Sequence, residues 1–121
     1  MGRHGVKQLE RKRTLFGADI TAQVTLLDEG VHVLLTGGGR SHVGAVALAE
    51  NGKLTGGAAY PGHREGQVAE RWAAVLSGAR RVPVTVACGI HYDNATRGQI
   101  DAVLQTCEAL LEETLQGMKD C

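Results

Sequence analysis

ITAQVTLLDEGVHVLLT, residues 20–36, sets the architecture that the rest of the chain must join. Ile20, Ala22, Val24 and Leu26 alternate with Thr21, Gln23 and Thr25, and a period of two describes a strand with one face buried. Asp28-Glu29-Gly30 interrupts the pattern, and Val31 to Thr36 resumes it as a second strand. The pair reads as a hairpin in which Gly30 is expected to supply a positive φ. Beyond it, VGAVALA (43–49) and LTGGAAYP (54–61) read as two more strands joined through Asn51-Gly52, the strongest short hairpin signal in the chain.

The period then changes. Val68, Trp72, Val75 and Leu76 recur at helical spacing from Glu65 onward, with a stop expected near Gly78. VPVTVACGI (82–90) is a β-branched strand, with Pro83 near its start, where a missing N–H is tolerated. Ile100, Val103, Leu104, Cys107, Leu110, Leu111 and Leu115 then form one long apolar stripe. That is a second helix, to be capped by Asn94 or Thr96 and ended by Gly117. Strands followed by helices read as α+β: an antiparallel sheet of about five strands covered by two helices on one face. The uncovered face would be rich in Ala, Gly and Thr. Burying it in so small a chain calls for a second copy, so a homodimer is expected.

Residues 1–15 carry five basic side chains against one acid, whereas residues 101–121 carry five acids against one base. Residues 1–8 are read as a flexible N-terminal tail and 9–117 as a single domain. The two ends read first as solvated surfaces, with mutual pairing as the alternative. The 13 basic and 13 acidic residues cancel, which argues against general affinity for nucleic-acid or membrane phosphates. Aromatic residues make up 3%, too few for a base-stacking platform. No apolar run approaches the roughly 20 residues of a membrane span, and the N-terminus lacks the apolar core of a secretory signal. Three cysteines without a CxxC pair point to free thiols in a reducing, cytoplasmic setting.

Three segments concentrate chemistry at strand ends: TGGGRSHVG (36–44), YPGHRE (60–65) and CGIHYDN (88–94). The first is a glycine-rich loop with Gly37, Gly38 and Gly44. It matches neither the dinucleotide nor the P-loop spacing. Its free N–H groups could form an anion nest, with Arg40 as a forked donor, Ser41 as a hydroxyl donor and His42 beside them; a wide turn is the plainer alternative. In the second, His63, Arg64 and Glu65 lead into a helix N-terminus, which favours anions; a Pro-Gly turn with Glu65 steadying the first turn explains it equally. In the third, His91, Asp93 and Asn94 follow a buried strand, and capping explains the last two but not His91. The His63/Glu65 and His91/Asp93 pairs have the ligand types of a metal site without the spacing of any strong signature. Cys88 and His91 have the types of a nucleophile and its base, although a cysteine late in an apolar strand is more simply packing.

Taken together, TGGGRSHVGAVALA (36–49), PGHREGQVAERWA (61–73) and CGIHYDNATRGQI (88–100) resemble the LpdD-like proteins, over roughly residues 9–117. These are small bacterial accessory proteins of UbiD-type decarboxylase systems, that of gallate decarboxylase among them. The resemblance implies a non-catalytic chaperone that binds reduced prenylated FMN and delivers it to a UbiD-type hydroxyarylic acid decarboxylase. It also implies a dimer with a fold like that of the small proteasome-assembly chaperones. Cofactor binding then falls to Gly37, Gly38, Arg40, Ser41, His42, Gly44, His63, Arg64, Glu65, His91 and Asn94, with no catalytic residue and no metal. A small-residue surface at Gly56, Gly57, Ala58 and Tyr60 would accept the flat ring. Ser41 stands where the resembled proteins carry proline, which bears on the stiffness of that loop. Two other readings stay open: a small metal-dependent or thiol hydrolase using His63 and His91, and a protein-only assembly factor.

Overall fold

The computed structural model describes residues 5–62 and 65–121. Among these the chain forms β1 (Lys7–Leu15), β2 (Ala18–Leu27), β3 (Gly30–Gly38), β4 (Ala45–Glu50) and β5 (Lys53–Ala59), then α1 (Gly66–Arg80), β6 (Val84–His91) and α2 (Arg97–Lys119). The strands make one sheet in the order β1-β2-β3-β6-β4-β5. The architecture is the expected α+β arrangement, with two differences: there are six described strands rather than about five, and the sheet is mixed. β6 lies parallel to β3, and every other pairing is antiparallel. After the β4–β5 hairpin, α1 carries the chain back so that β6 inserts between β3 and β4, in the direction of β3.

The added strand is β1. Its sequence, KQLERKRTL, hides the alternation because its inward positions include arginines. Lys7 and Gln8, assigned to the tail on sequence grounds, already pair with Leu26 and Thr25. Charge suits an edge strand, which has to discourage pairing with other chains. The opposed charges at the two ends of the chain do meet: Arg13 Nε donates to Glu113 Oε2 on α2 at 3.0 Å.

One sheet face carries the core. Ile20, Ala22, Val24, Val33, Leu35, Ala47, Val86 and Cys88 are buried beneath Trp72, Ala73 and Leu76 of α1 and Leu110 and Leu111 of α2. The β4–β5 turn is the expected Asn51-Gly52 pair, both residues at positive φ (53° and 85°). Gly30 is not a positive-φ residue: the β2–β3 turn closes through Asp28 and Glu29. A Cβ on Gly30 would instead press on the Pro83 carbonyl at 3.3 Å.

Both helices overrun their expected stops, for one reason. α1 passes Gly78 and ends at Arg81, which takes the left-handed conformation at φ 59°. Gly78 lies against the β4–β5 turn, where its own Cβ would stand 3.4 Å from the Gly52 Cα. α2 passes Gly117, whose missing side chain leaves room for the Arg11 guanidinium. Both glycines serve close approach rather than termination. No described helix is long and apolar enough to cross a membrane.

Candidate functional site

The topology brings both helix N-termini to one rim. α1 starts there and runs away; β6 returns and ends there at His91; α2 starts a few residues later and runs away again. The glycine-rich loop, residues 39–44, crosses the end of β6 at the same rim. It is fastened by backbone bonds: Gly39 N–H donates to the His91 carbonyl at 2.7 Å and Gly44 N–H to the Cys88 carbonyl at 2.8 Å. These two N–H groups are therefore engaged by β6, and the expected anion nest does not form from them. Gly37 is a strand residue paired with Ile20 and Ile90. Gly38, at φ 85°, lies so close to the His91 backbone that no Cβ fits.

The side chains complete the convergence. His42 Nε2 pairs with Glu65 Oε1 at 2.9 Å, with the two side chains only 22% and 12% exposed. His42 Nδ1 faces the Arg40 carbonyl oxygen at 3.4 Å. His91 Nε2 lies 2.7 Å from Asp93 Oδ1 and 3.2 Å from the Arg40 guanidinium. The two imidazole rings stand edge to face with centroids 6.3 Å apart. A Cβ on Gly44 would displace the Glu65 carboxylate from this position. The three segments thus meet at one mouth through Arg40, His42, Glu65 and His91. Ser41 is exposed on the loop, and Asn94 takes φ 52° in the turn after Asp93. His63 and Arg64 lie outside the described residues.

Of the two caps expected for α2, Thr96 is the one used, and the capping roles expected of Asp93 and Glu65 are corrected. Asp93 serves His91, and α2 is capped by Thr96, whose hydroxyl accepts from Gln99 N–H at 3.2 Å while the Gln99 side chain accepts from Thr96 N–H at 2.8 Å. Glu65 occupies the N-cap position of α1 but makes no side-chain cap bond, its carboxylate being turned to His42.

Beside the mouth lies a cleft of about 490 Å³, walled by Val68 of α1, Ile90 and His91 of β6, Tyr92, and Ile100, Val103 and Leu104 of α2, with Arg40 and Glu65 also lining it. Sequence reasoning misses this floor. The apolar stripe of α2 reads as continuous core, yet its first turns are open: Ile100 is 49% and Leu104 46% exposed. The one signal in the sequence is the length of the stripe, which runs from Ile100 to Leu115. The surface at Gly56, Gly57, Ala58 and Tyr60 does not line the cleft; β5 is an exposed edge strand, and Tyr60 is held by its N–H donating to the Gly44 carbonyl at 2.8 Å. At the opposite rim a cleft of about 480 Å³ is bordered by Lys7, Asp28, Glu29 and Arg80, a mixed-charge surface with Leu26 and Leu27 as its apolar part.

The electrostatics bear on the thiol reading. Cys88 is fully buried, and burial, with smaller contributions from Cys107 and Glu65, raises its thiol pKa well above the ordinary value. Cys107 is pushed up to about 12 by burial and then by Glu108. A thiol held neutral in the core is not a nucleophile. Among the described residues, no three His, Cys, Asp or Glu side chains are grouped as a metal centre requires.

A six-stranded mixed sheet with two helices on one face and a cleft between the helix starts defines a small α+β fold. The chain is similar to one in the crystal structure of a novel chaperone complex for yeast 20S proteasome assembly. The TM-score is 0.59 over 91% of this chain and 98% of that one, at 15% identity, a likeness that speaks for the fold alone. The model of the prenylated flavin chaperone LpdD-like domain matches residues 14–119, and the chain belongs to that family. Among curated proteins none matches the chain.

Proposed function

We propose that this protein carries reduced prenylated FMN and hands it to a UbiD-type hydroxyarylic acid decarboxylase, without converting it. The observation that carries this reading is the cleft between α1 and α2, apolar within and ringed by Arg40, Glu65 and His91, in a member of a prenylated flavin chaperone family. Its volume of about 490 Å³ falls inside the range of small-molecule sites, roughly 300–1,000 Å³. The donor set suits the cargo. Arg40 offers guanidinium N–H groups to a phosphate or a flavin carbonyl, and His91 can donate or accept according to its tautomer. Ser41 and Asn94 add polar groups from the flanking loops, and Gly37, Gly38 and Gly44 let those loops pack close enough to form the mouth. His63 and Arg64, which precede Glu65 in the sequence, belong to the same proposal. His42 and Glu65 act on each other and hold the loop. A carrier needs grip and release, and nothing in the site calls for an activated nucleophile.

Anaerobic titration of the purified protein with reduced prenylated FMN, followed by flavin absorbance, is expected to saturate at one ligand per chain with no turnover. Arg40→Ala and His91→Ala should each weaken binding about tenfold, the worth of one charge-assisted hydrogen bond at roughly 1.5 kcal/mol. A folded wild-type protein that gives no saturable signal rules the carrier reading out.

The same proposal includes a homodimer formed through the sheet face away from the helices. Its centre, Thr21, Thr25, Leu34, Thr36, Thr85 and Ala87, is only half-buried in the single chain and carries no ionisable group, with His32 beside it and Lys12 and Glu10 of β1 at its border. Sedimentation should show a dimer for wild type and a folded monomer for Ala87→Glu, because a carboxylate on the central strand would be trapped unpaired. A wild-type monomer, or an undisturbed dimer in the variant, removes this part.

A further inference from the structure

We infer that Ile100 and Leu104, with Ile90 and Val103 behind them, are the residues that distinguish a prenylated flavin from an ordinary one. The inference rests on the carrier reading above and deepens it. The polar groups at the mouth, Arg40 and His91, meet features that both flavins share: a phosphate, ring carbonyls and ring nitrogens. The prenylated form differs by an added non-aromatic hydrocarbon ring, which offers no hydrogen bond. Only an apolar surface can recognise it, and the most exposed apolar side chains among the described walls of the cleft are those at the first turns of α2.

Charge sets the orientation. Glu65 lines the cleft with its side chain only 12% exposed, held by His42 at 2.9 Å. A phosphate driven into the cleft would meet this carboxylate and the hydrocarbon beside it, losing its hydration without a partner. The opposite orientation leaves the phosphate outside beside Arg40 and puts the hydrocarbon ring on the floor. The half-exposed state of Ile100 and Leu104 in the free protein is then the reserve of apolar surface that the ligand covers. Each methylene buried there is worth roughly fourfold in affinity, so partial burial of the extra ring should yield a preference of roughly 30-fold or more over reduced FMN.

The test compares anaerobic titrations with reduced prenylated FMN and reduced FMN on three proteins. Wild type should prefer the prenylated ligand by roughly 30-fold or more. The double variant Ile100→Ser, Leu104→Ser should lose most of that preference by weakening the prenylated ligand alone, and circular dichroism should confirm an intact helix, as both positions are half exposed. Arg40→Ala should weaken both ligands alike and leave the ratio unchanged. Equal binding of the two flavins by wild type, or equal weakening of both by the double variant, overturns the inference while leaving the carrier reading standing. Absence of binding by wild type overturns both.

Discussion

Trp72→Ala is expected to destabilise the protein by about 3–5 kcal/mol, the usual cost of emptying an aromatic site in a core. Trp72 is the largest side chain buried at 0% exposure, and it lies on the face of α1 turned to the sheet. In a chain of 121 residues that loss is a large part of a total of roughly 5–15 kcal/mol. A second substitution separates volume from polarity. The indole N–H of Trp72 finds no hydrogen-bond partner among the described residues, and a buried donor left unpaired costs about 1–3 kcal/mol. Trp72→Phe gives up part of the ring but also removes that donor, so it should cost clearly less than the alanine variant. Urea unfolding at fixed protein concentration measures both. An alanine variant within about 1 kcal/mol of wild type would mean that the core is not keyed on this residue.

The second large effect is local. Gly89 is buried near the end of β6, and a Cβ there would land on the His42 backbone carbonyl, with the imidazole Cδ2 at 3.1 Å. Gly89→Ala therefore forces the 39–44 loop away from β6. That motion pulls His42 from Glu65 and Arg40 from His91, so the mouth is dismantled from one position. Overpacking of this kind costs about 1–3 kcal/mol, and reduced prenylated FMN should bind at least about tenfold more weakly, as when a charge-assisted contact is lost. Because the obstacle is backbone, adding His42→Ala should not rescue the variant. Wild-type affinity in Gly89→Ala would show that the loop does not shape the site.

Much of this molecule is written in short-range pattern. The alternation from Ile20 to Leu26 and the helical spacing from Ile100 to Leu115 name their elements, because a half-buried strand and a half-buried helix each force a period. β1 escapes for the converse reason. Arg11 and Arg13 occupy inward positions and are accommodated by Gly117 and Glu113, partners about a hundred residues further along. Gly78 and Gly117 mislead because a glycine that ends a helix and one that admits a neighbour look the same in a string of letters.

The three polar segments are also visible as clusters at strand ends, and their meeting follows from strands that end on one rim. What each group does there is not visible. Gly39 and Gly44 could offer N–H groups to an anion until the insertion of β6 brings the His91 and Cys88 carbonyls to them. Asp93 looks like a cap until His91 stands beside it at 2.7 Å. Likewise, an apolar residue on α2 reads the same whether or not anything covers it. Leu110 and Leu111 are buried in the core, whereas Ile100 and Leu104 overhang open space where α1 and α2 begin.

By itself the amino-acid order determined every element type but that of β1, the buried face of the sheet, the free thiols and the family resemblance, all of which depend on neighbours a few residues apart or on residue identity. The tertiary structure alone decided the parallel pairing of β3 with β6, the pairing of His42 with Glu65 and the open floor of the cleft. Those depend on which distant segments pack together, and a period of 2 or 3.6 residues records that a face is apolar without recording what lies across from it.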